Sequence, residues 1–325
     1  MKTAFLFSGQ GSQYPAMGKE LLEIIPEKGK KILSAAEKIL GYDIWTIIQE
    51  GTAEELAQTR VSQPAIFTVS LLALAAAESK GLTCEGVAGH SLGEYAAMVA
   101  AGVLTLEEGY TAIKYRAEAM EKAAKANPGA MAAVIGLPAE KVVEHCYRIK
   151  YDGKYVTAAN LNSPVQTVIA GTKEGIATAM EVLKAHGARR IVPLAVSAAF
   201  HSELMKDASE EFEAAIADIE FKAPKVKYYS NVIGKELTDF DNMPSLMAKH
   251  ICSAVRFTDE LHAMQNDGFD TFVELGPGKV LTGLVIKTLA DVKAINIENA
   301  ATLEAALQSD DEADNEDSEV KEETP

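Results

Sequence analysis

Cysteine is scarce in this chain, and so is positive charge. The three cysteines, Cys84, Cys146 and Cys252, are far apart, odd in number and free of any C-x-x-C spacing. That excludes a disulfide framework and a cysteine-ligated zinc site, and it suits a reducing, cytoplasmic setting. No H-E-x-x-H spacing occurs, so metal-assisted hydrolysis is not expected. The 31 lysines and arginines are outnumbered by 47 acidic residues, a formal net charge of −16. A phosphate backbone needs the opposite sign, so nucleic acid is disfavoured as a partner. No uninterrupted apolar run reaches the ~20 residues of a membrane span, so no membrane partner is expected. The apolar start, Ala4-Phe5-Leu6-Phe7, stops at Ser8-Gly9-Gln10, too soon for a secretory h-region; it reads as a first strand.

What is present is ordinary globular material: 325 residues, 48% hydrophobic and 24% charged, enough for a large core in one or two domains. The acidity is uneven. The segment from Asp310 to Pro325 holds nine acidic residues and one lysine, half of the net charge. It has almost nothing to bury, and residues 309–325 are expected to form a disordered acidic tail.

The periodicity alternates short apolar runs with amphipathic ones, which predicts an α/β fold with a largely parallel sheet. Capping boxes stand at Thr52/Glu55 and Thr105/Glu108, Pro64 is expected to open a long apolar helix ended by Gly81, and a further helix is expected from about Glu203 to Ile219. After Asn127-Pro128-Gly129 the rhythm changes. Strands at 131–135, 155–159, 165–170 and 189–196 alternate with helices at 139–148 and 174–186. That is β-α-β-β-α-β, the ferredoxin-like order. The expected division is therefore 1–126 with 198–308 as a hydrolase-like catalytic domain and 127–197 as an inserted subdomain.

The chemistry centres on Gly89-His90-Ser91-Leu92-Gly93-Glu94, between the apolar Gly86-Val87-Ala88 and the helical Tyr95–Ala101. This is G-x-S-x-G in a strand–turn–helix context, a nucleophile elbow with Ser91 at its tip. A hydroxyl needs a base. Of the six histidines, His145, His186 and His262 read as helix residues. His90 points away from its neighbour Ser91 on an extended strand. His201 and its rival His250 remain. Arg116 shares an apolar helical stripe with Ala112 and Met120, so it requires a partner. A structural ion pair, snorkelling to solvent and a bidentate clamp for a substrate carboxylate all satisfy it. The loop Ser8–Gln13 opens like a dinucleotide fingerprint, but Tyr14 stands where the third glycine belongs, and nucleotide binding is not favoured.

Together these stretches resemble one family. Gly9-Gln10-Gly11-Ser12-Gln13, Gln63-Pro64-Ala65, Gly89–Glu94, Tyr115–Met120, Asn162-Ser163-Pro164, Ala199-Phe200-His201-Ser202 and Glu274–Gly278 are similar, in order, to the malonyl-CoA:acyl carrier protein transacylases of type II fatty acid synthesis. The resemblance covers about 1–300. It implies ping-pong acyl transfer with Ser91 as nucleophile and His201 as base. The backbone N–H groups of Gln10 and Leu92 would form the oxyanion hole, and Arg116 would bind the malonyl carboxylate. Phe200, Asn160 and Gln63 would line the substrate site. Position 250 would orient His201 through its backbone carbonyl, although the family usually has Gln where this chain has His250. The resemblance further implies malonyl-CoA and an acyl carrier protein as partners, no resident cofactor, and a monomer. Lys279, Lys287, Arg189 and Arg190 are candidate contacts for the acidic carrier protein. A serine esterase would need a triad carboxylate that does not stand out. A non-catalytic carrier-binding module would have no use for Ser91, and a polyketide acyltransferase would share every one of these features.

Overall fold

The computed structural model describes residues 2–196 and 198–308; the acidic segment 309–325 and Ser197, the expected last residue of the insertion, lie outside the described residues. Ten strands are named in chain order: β1 (Thr3–Phe7), β2 (Gly86–Gly89), β3 (Ala130–Ile135), β4 (Val156–Ser163), β5 (Gln166–Gly171), β6 (Arg190–Pro193), β7 (Lys227–Ser230), β8 (Lys235–Glu236), β9 (Thr271–Leu275) and β10 (Lys293–Ile297). They form a six-stranded sheet, β10-β9-β1-β2-β7-β8, and a four-stranded sheet, β4-β5-β3-β6. In the larger sheet every pairing is parallel except β7 with β8. The smaller sheet is antiparallel throughout. With helices Ala139–Tyr151 and Lys173–Ala185 between its strands, it has the β-α-β-β-α-β order expected from the sequence.

Alternation across a strand decides what each face of the small sheet touches. Ala132, Val134 and Ile169 pack with Val142, Cys146, Ile176 and Leu183 of the two insertion helices. Met131, Val168 and Ala170, one residue out of phase, face the main core instead. The insertion is thus a layer with its own core on one side and the rest of the molecule on the other. One edge is stitched down by backbone: Leu161 N–H donates to Val255 O at 2.8 Å, and Val255 N–H donates to Ala159 O at 2.9 Å.

Two local expectations change. Pro64 does not open its helix, which runs Thr59–Ser79 with Pro64 inside it. Proline has no N–H for the carbonyl four residues back. The freed Arg60 carbonyl instead accepts the Tyr42 hydroxyl at 3.2 Å. The extra upstream turn also makes this helix long and apolar enough to cross a membrane by length and composition, yet 94% of its apolar window is buried inside the protein. The helix expected over 203–219 is a 3-10 turn, Glu203–Met205, followed by Lys206–Ala215.

Candidate active site

Four parallel strands, β1, β2, β7 and β9, end level with one another, Phe7 beside both Gly89 and Leu275. The residues just past their carboxyl ends form a crevice, the usual place for a ligand in such a sheet. A cavity of about 360 Å³ opens there, lined by Gln10, His90, Ser91, Asn160, Phe200 and His201 among others, with Met131 and Val168 of the small sheet as its far wall.

Ser91 occupies the tip of the turn from β2 into helix Gly93–Ala100, with φ 54°, a left-handed conformation that is uncommon for a residue with a side chain. Both flanking glycines are sterically required. A Cβ on Gly89 would lie 2.0 Å from the Gly93 carbonyl carbon, and one on Gly93 would lie 2.1 Å from Phe7 O. The strained turn is held from below: Asn231, directly after β7, accepts the Ser91 N–H at 2.8 Å and donates to Gly89 O at 2.7 Å.

The Ser91 hydroxyl lies 2.7 Å from His201 Nε2. His201 Nδ1 faces two backbone carbonyls, His250 O at 3.0 Å and Ser253 O at 3.1 Å. Carbonyls only accept, so Nδ1 carries the proton and Nε2 presents its lone pair to the hydroxyl. Burial, then the neighbouring His250 and Arg116, hold His201 well below the ordinary histidine pKa. The ring is therefore neutral at pH 7, as a base must be. His250, the rival base, has its ring in the layer beneath.

Arg116 is 1% exposed. Its guanidinium donates to Gln63 Oε1 at 2.7 Å and to Ser91 Oγ at 3.0 Å, and stands 5.6 Å from the Tyr95 ring centre. No carboxylate lies within ion-pair distance of it among the described residues. Neither the structural ion pair nor snorkelling describes it. The Gln10 and Leu92 backbone N–H groups have no hydrogen-bond partner among the described residues, which leaves both open to an oxyanion. His90 pairs through Nε2 with Asn162 Oδ1 at 2.8 Å and supports the wall between the two sheets.

Sequence reasoning named His250 and the motif residue Glu94 but missed Asn231 and Glu260, which complete the layer below. Asn231, Glu94, His250 and Glu260 are all fully buried and joined: Asn231 N–H donates to Glu94 Oε1 at 2.8 Å, and its amide group donates to Glu260 at 2.8 and 3.0 Å. The one available signal was position, since Asn231 is a polar residue immediately after a buried parallel strand. Glu274 of the Glu-Leu-Gly-Pro-Gly stretch does not reach the nucleophile; it caps helix Val280–Thr288 by accepting Thr282 N–H at 2.8 Å. Cys84 and Cys146 are pushed by burial to about 12 and are not nucleophiles. Among the described residues there is no cluster of three metal-ligating side chains.

Known proteins resemble this chain over most of its length. The acyl transferase domain family matches residues 4–319. A malonyl CoA-acyl carrier protein transacylase of Bacillus subtilis is 41% identical over 308 residues, covering 95% of this chain and 97% of the relative. A Streptococcus pneumoniae crystal structure of the same enzyme type superposes with a TM-score of 0.89 at 37% identity, covering 95% of this chain and all of that one. A type II polyketide acyl-carrier protein in complex with its malonyl-transacylase gives 0.90 at 34% identity, with 95% of this chain and 100% of that chain covered.

Proposed function

The chain belongs to the acyl transferase domain family, and from that premise we propose that it moves a malonyl group from malonyl-CoA to the phosphopantetheine thiol of an acyl carrier protein. Ser91 Oγ attacks the thioester carbonyl while its proton passes to His201 Nε2, 2.7 Å away. The carbonyl oxygen becomes an oxyanion against the Gln10 and Leu92 N–H groups. The C–S bond then breaks, His201 returns the proton to the departing thiolate, and malonyl-Ser91 is left. The second half runs in reverse with the carrier thiol as nucleophile and His201 again as base. Every group used is a side chain or a backbone N–H, so the reading invokes no resident cofactor.

The observation that carries this reading is Arg116. A buried guanidinium with only neutral partners is costly. A free carboxylate on the acyl group supplies the missing counter-charge in bidentate form. It does so one hydrogen bond from the nucleophile. Arg116→Ala should cut malonyl-Ser91 formation by about 100-fold or more while affecting acetyl-CoA far less, so the malonyl-to-acetyl ratio collapses. An unchanged ratio contradicts the assignment. Phe200, next to His201 in the chain and on the cavity wall, would crowd a methyl on the α-carbon and so favours malonyl over methylmalonyl.

Exposed Lys279 and Lys287 stand at the N-cap and near the end of helix Val280–Thr288, whose Val280, Leu281 and Leu284 line the cavity, and exposed Arg189 and Arg190 stand at the start of β6, whose continuation Leu194–Val196 lines it from the other side. An acidic carrier protein docked across both would deliver its thiol to Ser91. We take the working unit to be a cytoplasmic monomer.

A further inference from the structure

Ser91 and His201 both sit in left-handed backbone, at φ 54° and φ 58°. Such strain costs about 1–3 kcal/mol per residue and persists only where the surroundings over-determine it. The hydrogen bond between the two side chains joins their tips and does not fix the turns that carry them. A second connection runs underneath, through Asn231, which is fully buried. Its Oδ1 accepts the Ser91 N–H at 2.8 Å, and its Nδ2 donates to Gly89 O at 2.7 Å. Those two partners fix which end of the amide is oxygen, since an N–H only donates and a carbonyl only accepts. His250 Nε2 lies 3.1 Å from the same Oδ1, so Nε2 carries a hydrogen and donates it there. The His250 carbonyl in turn accepts from His201 Nδ1 at 3.0 Å.

These links close on themselves: the Ser91 N–H to Asn231, the His250 ring to Asn231, His201 to the His250 carbonyl, and the Ser91 hydroxyl to His201. We propose that Asn231 and the ring of His250 are positioning residues, closing a hydrogen-bonded circuit that sets the distance between the nucleophile and its base. Asn231 is itself immobile. Its N–H donates to Glu94 Oε1 at 2.8 Å, its carbonyl accepts the Arg256 N–H at 3.0 Å, and its amide also donates to Glu260 at 2.8 and 3.0 Å. It therefore anchors the circuit to helix Gly93–Ala100 on one side and to the start of helix Phe257–Asn266 on the other. The Ser91 N–H, spent on Asn231, is not free for an oxyanion, which leaves that task to the Gln10 and Leu92 N–H groups. The circuit also gives the side chain at position 250 a task. It asks for an N–H donor there, which an imidazole and a carboxamide both carry, so His250 does with a ring what a glutamine would do with its amide.

The inference rests on the acyl-transfer reading only for one arm of its test. The main probe is a small fluorophosphonate, which labels an activated serine with loss of fluoride and needs no malonyl-CoA. Asn231→Leu keeps the bulk and removes the polar atoms; it should slow labelling of Ser91 by about 100-fold. Circular dichroism shows whether that variant folds, and where it does not, the pair of variants at position 250 decides. His250→Leu keeps the backbone carbonyl and removes the ring donor, and it should slow labelling by about tenfold or more. His250→Gln should recover most of that loss. In malonyl-enzyme formation the loss in His250→Leu should fall on the maximal rate and leave the half-saturating malonyl-CoA concentration within about threefold, because Arg116 and the cavity wall are untouched. Labelling of His250→Leu as fast as that of the wild type, or no recovery in His250→Gln, overturns the proposal. Wild-type protein that resists the probe overturns it too, since Ser91 is then not held ready by His201. Wild-type protein that is labelled yet forms no malonyl-enzyme removes the acyl-transfer reading, and the labelling rates still decide the circuit.

Discussion

The larger sheet reaches the cavity through the turns at the carboxyl ends of its strands, whereas the smaller sheet reaches it through one face of its alternating side chains. The first route delivers backbone groups and a strained serine at fixed positions: the Ser91 turn at φ 54°, the Gln10 and Leu92 N–H groups, and Asn231 after β7. The second delivers Met131, Val168 and Asn160 as a wall. Reaction chemistry needs donors and acceptors placed to fractions of an ångström. A wall that excludes water while an acyl-serine waits needs only bulk of the right polarity. Substitutions on the two sides of the cavity should therefore differ sharply in effect.

The largest effect is expected at His201, held by the His250 and Ser253 carbonyls at the end of helix Met243–Cys252 rather than by the small sheet. His201→Ala should slow malonyl-enzyme formation by at least about a thousandfold. For the wild type, the low His201 pKa fixes the sign of the pH dependence. Activity is lost as pH falls through that lowered value, so the acid limb lies below the ordinary histidine value of about 6.5. A limb at or above it would mean the base is not the buried, depressed His201. Next comes Phe200, at the border between the two sides. Phe200→Ser should raise the share of methylmalonyl over malonyl transfer by about tenfold; an unchanged ratio removes Phe200 from specificity. The smallest effect is expected on the wall. Val168→Ala should cost about 1–2 kcal/mol of unfolding free energy and leave malonyl-enzyme formation within about tenfold of wild type. A loss as large as that of His201→Ala would show that the wall positions the chemistry as tightly as the strand ends do.

The same contrast explains what could be read from the chain. Local rules were legible. Gly89-x-Ser91-x-Gly93 announced its turn because both glycines answer to steric contacts within the motif and with β1. Thr105 and Glu108 form the reciprocal capping box seen in the structure, at 2.7 and 3.2 Å. The β-α-β-β-α-β order also follows from local periodicity. Arg116 was legible as a question, a charge on an apolar stripe, and the fold answers it by placing Gln63 and Ser91 beside it. The layer beneath Ser91 was not legible. Asn231 lies 140 residues from Ser91 and 29 from Glu260, and only the parallel pairing of β2 with β7 brings them together. Pro64 misled because its helix borrows a donor, Tyr42, from another segment. In both cases the deciding partner is remote in sequence.

The most direct test of the central claim is the intact mass of the protein after brief exposure to malonyl-CoA, for the wild type and for Ser91→Ala. The wild type should carry a malonyl-sized adduct and Ser91→Ala none. An adduct of equal size on both proteins, or free malonate accumulating with no adduct on either, would contradict acyl transfer through Ser91.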